Sequence, residues 1–200
     1  MEKQELLNKH DAKRIILYAP TFYPSLTSAG ILKDHIFKLA DPENLLLIKF
    51  HDLMNKKIVV DYERLSRENS NVEIISDNNI TKYLILSDVM IGDTSSVVYE
   101  FLLLDKPVIT FKSISKNIKW ENISDPGQFI LKVKDALKND RFKTDRKWII
   151  DNYHPYTDGL SSKRIVDTME EYINNHPIPD YRKIPWWRRR KIVKRYGNVN

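Results

Sequence analysis

The chain has 200 residues, of which 42% are hydrophobic and 30% charged, a balance that builds a sizeable core and excludes a disordered segment. The absence of cysteine excludes disulfides, zinc–thiolate sites, iron–sulfur clusters and thiol nucleophiles. The net charge of +6 is uneven: residues 181–200 hold eight Lys/Arg and no acid, while the other 180 residues carry 25 basic against 27 acidic side chains.

The polar start from Met1 to Arg14 lacks the apolar core of a signal peptide. No apolar run approaches the roughly 20 residues of a membrane-spanning helix, so a cytoplasmic protein is expected. Short runs bounded by turn residues then read as buried strands: 14–19, 45–50, 72–75, 89–91 and 107–111. Amphipathic spacing predicts helices between them, over 29–39, 58–67, 79–86 and 96–104. After Phe111 the pattern reads as all helical, with helices expected over 127–138, 145–152 and 161–172. Lys112 to Pro126 is the one long connection without a pattern, and a domain edge is expected near Pro177–Pro179. Alternating strands and helices imply right-handed crossovers and a Rossmann-like α/β domain with an open parallel sheet, covering residues 1–176 ahead of a basic tail, 177–200.

The segment Ser87 to Phe111 carries most of the information. A strand runs to Ile91, Gly92 permits a tight turn, and Thr94, Ser95 and Ser96 precede the next helix. Small hydroxyls beside free backbone N–H groups suit a phosphate or diphosphate. The same residues also suit an ordinary N-cap, and the pattern alone leaves both open. Glu100 lies four residues after Ser96 and can share its face, where it would accept hydrogen bonds from ribose hydroxyls or simply meet water. Asp105-Lys106-Pro107 reads as a structural turn into the next strand.

Taken together, these residues resemble the CDP-glycerol glycerophosphotransferases. In that family a strand, an Asp-Tyr-Ser-Ser turn, a helix and a Leu-Asp-Lys-Pro strand entry follow one another. Here Asp88, Gly92-Asp93-Thr94-Ser95-Ser96, Glu100 and Leu104-Asp105-Lys106-Pro107 occupy that order. Ile16 to Thr21, Lys49-Phe50-His51, Asp125-Pro126-Gly127 and Asp158-Gly159 with Ser162 and Arg164 resemble further family segments. Thr94 stands where Tyr is usual, Asp52 where Pro is common after His51, and the family's Arg shortly after Pro-Thr is absent from Phe22 to Leu26.

The resemblance implies the C-terminal half of a GT-B fold and transfer of glycerol phosphate from CDP-glycerol, with CMP leaving, to a lipid-linked or polymeric acceptor in teichoic-acid-like synthesis. It places Thr94, Ser95 and Ser96 on the donor's phosphates, Glu100 near the ribose and Arg164 near the phosphates. His51 would donate to the diphosphate or transfer a proton; a half-buried loop histidine is the plain alternative. Asp158 and Arg164 also read simply as a helix cap and a surface charge. No metal or other cofactor is expected. The implied base is a His of a Trp-His-Gly segment in the N-terminal domain, a tripeptide this sequence does not contain. Independent catalysis is therefore not expected, and a separate chain supplying the N-terminal half is a possible partner. Two other readings stay open: a GT-B glycosyltransferase or nucleotide-sugar 2-epimerase, and a non-catalytic nucleotide-binding module.

The tail combines Trp186, Trp187 and Tyr196 with its clustered Lys/Arg. Aromatic side chains favour the membrane–water boundary and basic ones anionic headgroups, so a peripheral position at the inner face of the cell membrane is expected. A basic tail also suits nucleic acid or a disordered end, but the body has no nucleic-acid-binding motif.

Overall fold

The computed structural model describes residues 3–176 and 183–197, in two compact units divided after Pro155. The first unit contains α1 (Lys3–Lys9), β1 (Arg14–Tyr18), α2 (Ala29–Phe37), β2 (Asn44–Ile48), α3 (Lys56–Ser66), β3 (Val72–Ile74), α4 (Thr81–Leu86), β4 (Val89–Gly92), α5 (Val97–Leu102), β5 (Val108–Phe111), β6 (Glu121–Ile123), α6 (Phe129–Lys138) and α7 (Lys143–Tyr153). The second contains α8 (Ser161–Asn175) and α9 (Trp186–Tyr196). The domain edge expected at Pro177–Pro179 lies outside the described residues.

All six strands are parallel, in the order β3-β2-β1-β4-β5-β6. Tyr18 at the end of β1 pairs with Ile48 of β2 and Ile91 of β4, so these three strands end level. Their side chains alternate between two cores. Ile16, Tyr18, Leu46, Ile48, Val89 and Ile91 face one, with α2 and α6. Ile15, Leu17, Leu45, Leu47 and Met90 face the other, with α1, α4, α5 and α7. A strand buried on both faces must be apolar at every position, which is why β1, β2 and β4 read as unbroken runs.

One expectation fails here. The chain after Phe111 is not all helical, because β6 lies within the supposed loop and pairs with β5. It is an edge strand, Glu121-Asn122-Ile123, in which only Ile123 is buried, and side-chain bonds help to hold it against β5. Trp120 Nε1 donates to Thr110 Oγ1 at 2.9 Å, and Thr110 Oγ1 to Asn122 Oδ1 at 2.8 Å.

The turn at Asp105 is structural, as the sequence implies. Asp105 adopts φ 55°, and Lys106 Nζ donates to the Leu84, Ile85 and Ser87 carbonyls at the end of α4. Arg146, only 1% exposed, binds Asp105 through Nε (2.8 Å) and grips Asp140 with both terminal nitrogens (2.8 and 2.6 Å). These bonds hold the Asp140 carboxyl below the usual carboxylate range.

Removing Arg146 leaves two acids facing each other and strips the buried guanidinium's bonds. Arg146→Met should cost about 2 kcal/mol in urea unfolding, allowing for the part-exposed carboxylates. Because the Asp140 pKa is depressed in the folded state, its contribution is present above the ordinary carboxylate range and lost as pH falls through it. The difference between wild type and variant should therefore shrink between about pH 5 and pH 3.

Candidate functional site

Connections from β1 and β4 leave in opposite directions, so the carboxyl ends of these two central strands open into a crevice. Gly92 ends β4 beside the loop after β1, where an added Cβ would stand in ordinary contact with the Ala19 carbonyl, at 3.4 Å. The next residue, Asp93, is fully buried. Its carboxylate accepts from Thr21 N at 2.7 Å, Ser28 N at 2.8 Å and Ser28 Oγ at 2.8 Å, while Tyr18 OH meets Ser28 Oγ at 2.8 Å. Burial pushes the Asp93 carboxyl up from its ordinary range, opposed by the bonds from Ser28 and Thr21. Burial likewise raises the Tyr18 hydroxyl well above the usual phenol range. One carboxylate thus ties the loop after β1 and the start of α2 to the turn after β4.

Between these loops and the end of β2 lies a cleft of about 460 Å³, whose lining includes Thr21, Lys49, His51, Ser95, Ser96 and Glu100. The structure therefore brings together four of the six residues named from the sequence. Helix α5 begins only at Val97 and is shorter than expected, leaving Ser95 and Ser96 in the turn. Ser96 makes no side-chain cap bond, and among the described residues neither hydroxyl has a protein partner. Glu100 is exposed on the same wall.

His51 follows the end of β2, with its ring 4.5 Å from that of Phe22. Leu53 N donates to His51 Nδ1 at 3.1 Å, so the neutral ring carries its proton on Nε2. Lys49 is nine-tenths buried, and its Nζ donates to the Phe50 carbonyl at 2.9 Å.

Thr94 is turned elsewhere: its Oγ1 accepts from Ile114 N at 3.1 Å, and it does not line the cleft. Arg164 belongs to the second unit. Its guanidinium forks the Asp158 carboxylate, with Nη1 2.9 Å from Oδ1 and Nη2 bonded to Oδ2, and it stacks over the Tyr156 ring at 3.9 Å. Asp158 also accepts from Leu160 N at 3.0 Å, and its carboxyl is held far below the usual range, first by Arg164. No group of three or more His, Asp or Glu that could hold a metal ion occurs among the described residues.

The sequence places Asp93 and Lys49 in family-like segments but assigns neither a role. Asp93 directly follows a strand-ending glycine, but its partners lie 65 and 72 residues away and are invisible locally; Lys49 closes an apolar strand, and its burial depends on packing that the local pattern does not show.

A sequence profile of the family CDP-Glycerol:Poly(glycerophosphate) glycerophosphotransferase matches residues 1–116. The teichoic acid glycerol-phosphate primase of Bacillus spizizenii is 28% identical over 184 residues, covering 81% of this chain and 45% of that protein. The teichoic acid ribitol-phosphate polymerase TarK of Staphylococcus aureus is 24% identical over 177 residues, covering 77% of this chain and 33% of the relative. The solved structure of the wall teichoic acid polymerase TagF matches with a TM-score of 0.62 at 18% identity, over 86% of this chain and 47% of that one. That likeness is one of fold, and it marks the sheet as a Rossmann-like domain of the GT-B type. The chain spans less than half the length of each of these three proteins.

Asp93→Ala should strand the Thr21 and Ser28 amides, lowering the unfolding free energy by about 2–3 kcal/mol. Native-state hydrogen exchange should show those two amides opening ahead of the β1 and β4 amides. Equal protection in variant and wild type would contradict the bridging role.

Proposed function

The chain belongs to the CDP-glycerol:poly(glycerophosphate) glycerophosphotransferase family, and from that membership we propose that its cleft binds the nucleotide donor of a transferase. The donor is CDP-glycerol, and glycerol phosphate passes to a lipid-linked or polymeric acceptor in teichoic-acid-like synthesis. The observation that carries this reading is the crevice at the β1/β4 boundary, where two hydroxyls without protein partners among the described residues share the lining with a lysine and a histidine.

An acceptor hydroxyl attacks the β-phosphorus, the bond from that phosphorus to the bridging oxygen breaks, and CMP leaves with the electron pair. Charge growing on the leaving phosphate needs donors already in place. Ser95 and Ser96 offer two O–H groups, and His51 offers Nε2–H because Leu53 N already occupies Nδ1. On this reading His51 donates to the diphosphate or the leaving group, and it does not deprotonate the acceptor. The acceptor's proton is taken by a base from the other half of the GT-B cleft, in the same polypeptide or a separate one. Glu100, exposed on the same wall, accepts from the ribose hydroxyls.

Calorimetric titration with CDP-glycerol, CMP and UDP-N-acetylglucosamine tests the donor. Cytidine ligands should be preferred, and Ser95→Ala combined with Ser96→Ala should weaken CDP-glycerol binding about tenfold or more without unfolding the chain. Preference for the uridine ligand, or unchanged affinity in the double variant, would overturn the assignment.

No helix among the described residues is long and apolar enough to cross a membrane. The second proposal is that α9 lies against an anionic membrane surface, putting the transferase next to a lipid-linked acceptor. Its support is local: Arg190 sits over the Trp186 ring at 5.3 Å, Lys191 over Trp187 at 5.8 Å and Arg195 over Tyr196 at 5.6 Å. These pairs combine interfacial aromatics with cations on one helix. Residues 177–182 and 198–200 of the basic tail lie outside the described residues. Deleting residues 181–200 should abolish sedimentation with phosphatidylglycerol vesicles and leave CDP-glycerol affinity unchanged. Undiminished sedimentation would remove the membrane proposal.

A further inference from the structure

Among the described residues, Lys49 is the one strongly buried cation of the cleft. Its residue is 9% exposed, its backbone N–H extends the β1–β2 ladder by donating to the Tyr18 carbonyl at 2.9 Å, and it lines the same cleft as Ser95 and Ser96. An ammonium has three N–H donors. Among the described residues one goes to the Phe50 carbonyl at 2.9 Å, and the nearest charge is Asp52 Oδ1 at 4.0 Å, beyond hydrogen-bond reach. A buried cation so weakly satisfied is costly unless an anion completes it. Asp52 supplies that anion only loosely, since its side chain is 73% exposed and solvated while that of Lys49 is 10% exposed.

We infer that Lys49 and Asp52 form an ion pair that the donor's phosphate opens, with Asp52 as a displaceable counter-ion that weakens donor binding. The inference rests on the donor reading of the cleft and adds a cation and a competing acid to it. A phosphate entering beside Ser95 and Ser96 makes short, charge-assisted bonds to the Lys49 ammonium, stronger than contact with a solvated carboxylate at 4.0 Å. Asp52 then turns into solvent, which its exposure permits. The cleft's other acid, Glu100, lies on the α5 wall, where it favours ligand hydroxyls over phosphate oxygens. Lys49 sets the affinity for the phosphates, and Asp52 sets how much of that affinity is withheld.

Titration of the full chain with inorganic pyrophosphate and with CDP-glycerol tests this. Asp52→Asn should tighten both ligands about twofold to fivefold, the scale of an exposed ion pair. Lys49→Met should weaken both about tenfold or more, Lys49→Arg should retain most of the affinity, and Asp52→Asn should have no effect in the Lys49→Met background. A purely structural Lys49 would lower the melting temperature in Lys49→Met and leave affinity unchanged, which overturns the inference. So would Asp52→Asn that fails to tighten binding, or that tightens it equally without Lys49. If Lys49→Met fails to fold, Lys49→Gln, a neutral side chain that can still donate to the Phe50 carbonyl, takes its place in the same comparison. Lys49-dependent pyrophosphate binding without CDP-glycerol binding keeps the ion pair and discards the donor reading. CDP-glycerol binding indifferent to Lys49 does the reverse, and binding of neither ligand overturns both.

Discussion

The buried carboxylate of Asp93 joins the loop after β1, the start of α2 and the turn after β4. Thr21 and Ser28 bracket the loop between β1 and α2, and both give their amide N–H to it. The Ser28 hydroxyl makes a third bond and links onward to Tyr18 at the end of β1. Because Asp93 directly follows β4, the same bonds fix the turn carrying Ser95 and Ser96. Burial disfavours the charged carboxyl, and the donors offset that cost; with fewer of them the loop and the turn would separate. The cleft depends on this joint more than on any property of the residues that line it.

Around the joint, the parallel sheet does the placing. Level ends of β1, β2 and β4 bring residues of three loops to one crevice, and the apolar cores on both faces keep those ends in register. Polar chemistry is therefore confined to the rim, where Lys49, His51 and the serines sit one to four residues past a strand end. The Leu53 amide then selects which nitrogen His51 presents, so a backbone contact decides whether the imidazole faces the cleft as donor or acceptor.

Much of this is legible in the sequence, for a physical reason. Strands buried on both faces must be apolar throughout, so β1, β2 and β4 announce themselves, and the Gly92 turn with its hydroxyls follows from their ends. β6 does not, because an edge strand holding Asn122 through Thr110 and Ser113 has no apolar signature. Helix α1 is missed for a similar reason: only Leu6 and Leu7 of its short stretch are buried. The tail reads in sequence as interfacial chemistry, and its described part is a regular helix from Trp186 to Tyr196. Thr94 shares the composition of Ser95 and Ser96, yet the Ile114 amide turns its hydroxyl away, a choice made by a loop 20 residues on. Arg164 is committed to Asp158 within its own unit. Local pattern reveals which residue types gather near the strand ends, and long-range hydrogen bonds decide which of them face the cleft.

The most direct test of the donor cleft is to follow backbone amide shifts of the isotopically labelled full chain while adding CDP-glycerol. The account predicts that the largest changes fall on Thr21, Lys49 to Asp52, Ser95, Ser96 and Glu100, with β6 and the Arg146 cluster unaffected. Changes centred on the far edge around Glu121 and Arg141, or none at saturating ligand, would contradict it.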